Sequence, residues 1–230
     1  MIAVTFALPA ESRAFIRLVR QRSESGFMTS GTLHGNEVRV AHTGVGEKMA
    51  RARLAVFFRD ETPRLLISAG FAGAVSDELH AGDLLLAENF SEPGALSSAT
   101  AALGAMKPRT GKLSTANAVI DVPAERSELA RRSGAVAVDM ETSFIAEACA
   151  QRHIAMLSLR AISDTPAAPL PAPADVLFNI ERQKTEFPAL AYHMLTHPAA
   201  IAGMVAFARQ IALARRSLTA ALELLLRRVP

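Results

Sequence analysis

Three acidic side chains stand where a buried apolar run gives way to a turn or a helix. Glu11 follows the run Ile2 to Leu8 and Pro9. Glu141 closes Val138-Asp139-Met140-Glu141-Thr142, and Asp164 closes Arg160-Ala161-Ile162-Ser163-Asp164-Thr165. In an open α/β sheet the carboxyl edge of the strands is where ligands are held, so chemistry is expected there. Carboxyl groups at such an edge can deliver a proton, accept one, or stabilise a cation that forms during a reaction. Each also has a purely structural competitor: an acid at a helix start is a favourable end charge, and Asp before Thr-Pro is a common turn residue. No His, Cys and acid group shows ligand spacing, so neither a metal nor another cofactor is expected. His42 and His153 flank apolar runs and read as packed or surface residues.

The elements that must position these acids alternate between strand and helix. Ile2 to Leu8 is β-branched and aromatic, and Pro9 precedes a predicted helix from Ala10 to about Arg22. Phe27 to Leu33 and Glu37 to His42 read as a hairpin turned by His34-Gly35-Asn36. After Gly44-Val45-Gly46 comes a predicted helix from Glu47 to Asp60. A continuous apolar strand, Leu65 to Ser68, then ends in the loop Gly70-Phe71-Ala72-Gly73. Gly82-Asp83 starts a strand through Leu86, whereas Pro93 to Pro108 gives little periodic signal. The remaining pattern is strand 112–119, helix 124–133, strand 135–138, helix 141–152 and strand 154–162, followed by the Pro-rich segment Thr165 to Pro173. Alternation of this kind predicts a three-layer α/β/α fold with a mixed, mostly parallel central sheet, plus a C-terminal helical tail. The expected division is a body over residues 1–166 and a linker with helices over 167–230.

Composition narrows the function classes. Half of the 230 residues are hydrophobic, enough for one large core, and 25 basic against 22 acidic residues leave no electrostatic footprint for nucleic acid. The lone Cys149 excludes a disulfide framework and fits a reducing compartment. The chain opens directly into strand-like sequence rather than a signal peptide, and no apolar stretch reaches the length of a membrane span, so a cytoplasmic location is expected.

Six ordered segments carry a family resemblance: Ala7-Leu8-Pro9-Ala10-Glu11, His42-Thr43-Gly44-Val45-Gly46-Glu47-Lys48, Ser68-Ala69-Gly70-Phe71-Ala72-Gly73, Gly82-Asp83, Val138-Asp139-Met140-Glu141 and Arg160-Ala161-Ile162-Ser163-Asp164. The set resembles the purine nucleoside phosphorylase and nucleosidase superfamily, closest to methylthioadenosine/S-adenosylhomocysteine nucleosidases. Lys48 lacks the spacing of a phosphate-binding P-loop. The resemblance implies cleavage of an N-glycosidic bond by a homodimer acting on a small nucleoside. On it, Asp164 is the general acid that protonates the purine at N7, which requires burial to keep the proton near neutrality. Glu141 accepts hydrogen bonds from the ribose hydroxyls, and Glu11 binds and activates the attacking water. Helix N-termini are expected to keep both glutamates ionised. Met140, Arg160, Phe71, Gly70 and Ser163 are the implied substrate-binding residues; Arg160 would oppose the acid's protonation if it touched Asp164, and it could equally pair with another nearby acid.

Phosphorylases of this superfamily carry an Arg and a Ser where this chain has Ser68 and Phe71, so the phosphate site reads as dismantled and water as the nucleophile. Phosphorolysis, and a nucleoside-binding module without turnover, are the competing readings. Thr115-Ala116-Asn117-Ala118 lacks the Gly-Asp-Ala-Phe pattern of the nucleosidases, and the stretch between Asn89 and Lys112 is shorter than theirs, which implies a differently capped 5′ end. Over 200–228 the residues Met204, Phe207, Ile211, Leu218, Leu222 and Leu225 share one helical face, opposite Arg209, Arg216 and Arg227. Such a helix packs on the body, on a second subunit, or on an anionic membrane surface. The tail and the short loop together resemble the hopanoid-associated branch, which implies adenosylhopane as an alternative substrate.

Overall fold

The computed structural model describes residues 1–183, 187–197 and 200–228. Its centre is a nine-stranded sheet. The chain runs through β1 (Ile2–Phe6), α1 (Pro9–Ile16), β2 (Arg20–Ser25), β3 (Met28–Leu33), β4 (Asn36–His42), α2 (Glu47–Asp60), β5 (Leu65–Ala74) and β6 (Leu84–Ala87). It continues with α3 (Pro93–Ala102), β7 (Arg109–Thr115), α4 (Pro123–Ser133), β8 (Ala135–Asp139), α5 (Thr142–Ala150), β9 (Ala155–Asp164), α6 (Ala174–Leu177), α7 (Phe187–Thr196) and α8 (Ala200–Arg228).

The strand order is β2-β3-β4-β1-β5-β8-β7-β6-β9, and β5 also pairs with β9, so five strands close on themselves. Pairings β4–β1–β5–β9 are parallel, as expected of strands covered on both sides, while β2–β3–β4 is an antiparallel hairpin extension. Alternation along β1 sends Ile2, Val4 and Phe6 into one cluster with residues of α1, α3 and α8, and Ala3 into another with α2 and α5. These are the two outer layers of the expected α/β/α sandwich.

Several expectations on element bounds are corrected. The first helix stops at Ile16 rather than Arg22, because Arg20–Ser25 pairs with β3 as a fully exposed edge strand with no apolar alternation to announce it. Gly70-Phe71-Ala72-Gly73 is not a loop: β5 continues through it, paired with β9 as far as Gly73 and Asp164. Asp164 is accordingly the last residue of a strand. The Ala- and Ser-rich stretch forms α3, started by Glu92, whose carboxylate accepts from Gly94 N and Ala95 N. The strand expected over 112–119 runs instead over Arg109–Thr115.

The second half of α8 is core. Ala214, Leu218, Ala221, Leu222, Leu225 and Leu226 are buried in the cluster that holds β1, and Asn36 Nδ2 donates to Leu226 O at 2.9 Å. The apolar stripe is thus spent on the body, Leu218, Leu222 and Leu225 by burial and Phe207 as part of a cavity wall. No helix among the described residues is long and apolar enough to cross a membrane.

Candidate active site

Pro9 starts α1 with its missing N–H at no cost, and Glu11 reaches back over the helix end. Glu11 Oε2 accepts from Leu8 N at 2.8 Å, while Oε1 accepts from Phe71 N at 2.9 Å on β5. A Cβ on Gly70 would stand 3.0 Å from Glu11 Oε1, so the missing side chain there leaves room for that carboxylate. Burial raises the Glu11 pKa despite its backbone donors and the charge of Arg160. Desolvation therefore works against the helix end expected to favour the ionised form, and it makes the ionised carboxylate a stronger base.

Glu141 sits just before α5, and its Oε1 accepts from Gly46 N at 2.8 Å. This explains the Gly-Val-Gly motif: Gly44 and Gly46 both have positive φ, and the turn aims the Gly46 N–H across the sheet edge at Glu141. Burial, then the neighbouring Asp139 charge, push the Glu141 pKa up to about 8, which again outweighs the helix end.

Arg160 does not touch Asp164. It lies beneath the site as the counter-ion of Asp139, with Nε 3.0 Å from Asp139 Oδ2, Nη1 2.6 Å from Ser68 O and Nη2 2.8 Å from Ser68 Oγ. Thr142 Oγ1 and Leu159 O take its remaining donors. With every N–H engaged, Arg160 braces the site instead of offering a free donor to a ligand, and Asp139 is further tied to Thr142 and to Thr115.

Asp164 is buried as expected, and its partner is unexpected. Arg126, only 1 % exposed, reaches in from α4 and pairs with Asp164 Oδ2, while Ser163 Oγ donates to Oδ1 at 2.6 Å. Arg126 escaped the sequence reading, yet it had a signal: it shares a helix face with Leu129 and Ala130, so a cation was aimed inward.

Glu11, Glu141 and Asp164 converge on one cavity of about 270 Å³. Phe71, Met140 and Ser163 line it too, and Val119, Ile120, Leu170, Phe178 and Phe207 give it an apolar wall. No residue between Asn89 and Lys112 reaches it. Below lies a second chamber of about 10 Å³, sharing Glu11, Phe71 and Glu141 and reaching Arg160, Gly70 and Thr5. Thr5 Oγ1 is buried there without a partner among the described residues. That volume matches one water, which needs roughly 10–15 Å³ and polar neighbours. His42 is half-buried with Nε2 2.7 Å from Ser12 Oγ, His153 is exposed, and the described residues hold no His, Cys, Asp and Glu group able to bind a metal.

The model of the Phosphorylase superfamily matches residues 1–98 and 94–196. The chain belongs to this superfamily. Among similar members, the 5′-methylthioadenosine/S-adenosylhomocysteine nucleosidase of Staphylococcus aureus (strain Newman) is 23% identical over 163 residues, covering 59% of this chain and 72% of that protein. The superfamily fold extends over the whole chain in solved structures. The S-adenosylhomocysteine nucleosidase of Streptococcus pyogenes, in complex with 5-methylthiotubericidin, superposes with a TM-score of 0.76 at 17% identity, covering 100% of this chain and 97% of that one. Futalosine hydrolase of Helicobacter pylori strain 26695 gives 0.74 at 15% identity, over 99% and 97%. The helical tail is therefore matched together with the α/β body.

Proposed function

We propose that this protein is a nucleosidase that hydrolyses the N-glycosidic bond of a purine nucleoside, a 5′-modified adenosine such as methylthioadenosine or S-adenosylhomocysteine, and releases the free base. The observation that carries this reading is the convergence of Glu11, Glu141 and Asp164 on one cavity above a chamber of single-water size. As the C1′–N9 bond breaks, its electron pair enters the purine, and Asp164 delivers a proton to N7. The ribose becomes cationic beside Glu141. Burial favours the neutral form of that carboxyl whereas a positive ribose favours the ionised one, so the carboxylate stabilises the developing cation more than the neutral substrate, which is the condition for accelerating the step. Water held near Glu11 adds to C1′ and loses its proton to that carboxylate, whose raised pKa makes it a stronger base.

Ser68 bound to Arg160, the Phe71 wall and the small chamber speak for water over phosphate as nucleophile. The apolar wall supports a second reading on the 5′ side, a larger hydrocarbon substituent as in adenosylhopane. On either reading the homodimer is carried over from the resemblance, and any peripheral membrane contact falls to the exposed Ile201, Val205 and Leu213 rather than to the buried stripe. Incubation with methylthioadenosine, S-adenosylhomocysteine, inosine and adenosine, with and without phosphate, tests the proposal by following free base. Release independent of phosphate is expected. Phosphate-dependent release would make the protein a phosphorylase, and binding without release a nucleoside-binding module.

A further inference from the structure

The buried cations of the site are divided between its two halves. Arg160 serves the ribose half through Asp139, whereas Arg126 serves the base half through Asp164 alone. Arg126 is fixed by more than that pair: Nε donates to Ile120 O at 2.8 Å and Nη1 to Ala74 O at 2.8 Å, so the guanidinium plane is set by backbone at two points. Gly73 makes the approach possible, since a Cβ there would meet Asp164 Oδ2 at 2.9 Å and Arg126 Nη1 at 3.3 Å. A buried arginine carries a large desolvation penalty and is tolerated only when well paired, so its placement against one carboxylate oxygen calls for an explanation.

We propose that Arg126 is a positioning residue for protonation of the leaving base: by occupying Asp164 Oδ2 it leaves Oδ1 as the oxygen that carries and delivers the proton. The inference rests on the nucleosidase reading. Ser163 completes the device, because its hydroxyl lies 2.6 Å from Asp164 Oδ1 and 3.3 Å from Ala72 O. When Oδ1 carries a proton aimed at N7, the Ser163 hydroxyl turns to Ala72 O. When that proton moves to N7 and the C1′–N9 electron pair enters the base, the hydroxyl returns to the oxygen left negative. The carboxylate then has a fixed cation on one oxygen and a hydroxyl donor on the other, so proton transfer leaves no uncompensated buried charge.

The test compares leaving groups. Arg126→Met and Arg126→Lys are assayed with the nucleoside the protein cleaves and with 4-nitrophenyl β-D-ribofuranoside, whose phenolate departs without a proton, and kcat for the nucleoside is followed against pH. For Arg126→Met, kcat on the nucleoside is expected to fall on the order of 10²-fold, the usual worth of a positioned acid, with KM nearly unchanged and an altered pH profile. Cleavage of the nitrophenyl riboside should stay close to the parent rate, and Arg126→Lys should recover part of the loss. If Arg126→Met does not fold, Arg126→Lys carries the comparison. Equal losses on both substrates would reduce Arg126 to a scaffold, and an unchanged nucleoside rate would remove it from the reaction. A parent protein that releases no base from any nucleoside would overturn the nucleosidase reading and this inference with it.

Discussion

Replacing Glu141 by glutamine removes the charge but keeps the Oε1 acceptor that meets Gly46 N. Folding pushes this carboxyl from an ordinary 4.5 up to about 8, chiefly by burial and then by Asp139. A carboxyl with a raised folded pKa holds its proton more tightly in the native state than in the unfolded one. Stability is therefore lost as pH climbs from the lower value to the higher, the reverse of a salt-bridged carboxylate. At about 1.4 kcal/mol per unit the whole cost approaches roughly 5 kcal/mol above pH 8, and about 2 kcal/mol of it accrues between pH 6 and pH 8. Urea unfolding of parent and Glu141→Gln at pH 6, 7 and 8 reads this directly. The stability advantage of the variant should grow by about 2 kcal/mol across that range, while base release falls on the order of 10²-fold or more. A stability gap that stays constant with pH would refute the reasoning, because Glu141 would then ionise alike in both states.

Two further substitutions probe packing, one beside the site and one away from it. Gly73→Ala puts a methyl group 2.9 Å from Asp164 Oδ2; overpacking of this kind costs roughly 1–3 kcal/mol, so thermal unfolding should show a lower Tm and base release should fall about tenfold through the misplaced acid. Leu222→Ala empties a fully buried position on α8. A loss of about 2–5 kcal/mol in chemical denaturation is expected, with base release per folded molecule unchanged, since Leu222 does not reach the cavity.

The parts of the fold governed by apolar periodicity were legible in the sequence. β1, β5 and β9 read as continuous apolar runs because both faces are covered, and α8 announced its buried stripe. What escaped was decided by partners far along the chain. Arg20–Ser25 is a strand only because β3 offers it an edge, and the glycines after Ala69 extend β5 only because β9 runs beside them. In the site, three carboxyl positions could be read from motif order, but their charge states could not: helix-end reasoning favoured ionised Glu11 and Glu141, while burial drives both the other way. The fate of Arg160 depended on the Ser68 and Asp139 geometry, and Arg126 on a salt bridge spanning α4 and β9.

The place of α8 in the cluster that holds β1 bears on how the chain acquires its shape during synthesis. Ile2 and Leu226 share one apolar cluster with residues of α1 and α3, so the cover over that face of β1 is completed only once residues 214–226 have been made. At about 5–20 residues per second that interval is on the order of ten seconds or more. Until then the apolar surface that α8 covers in the folded chain lacks its native partner, and apolar area of this kind is what makes incompletely folded chains prone to aggregate.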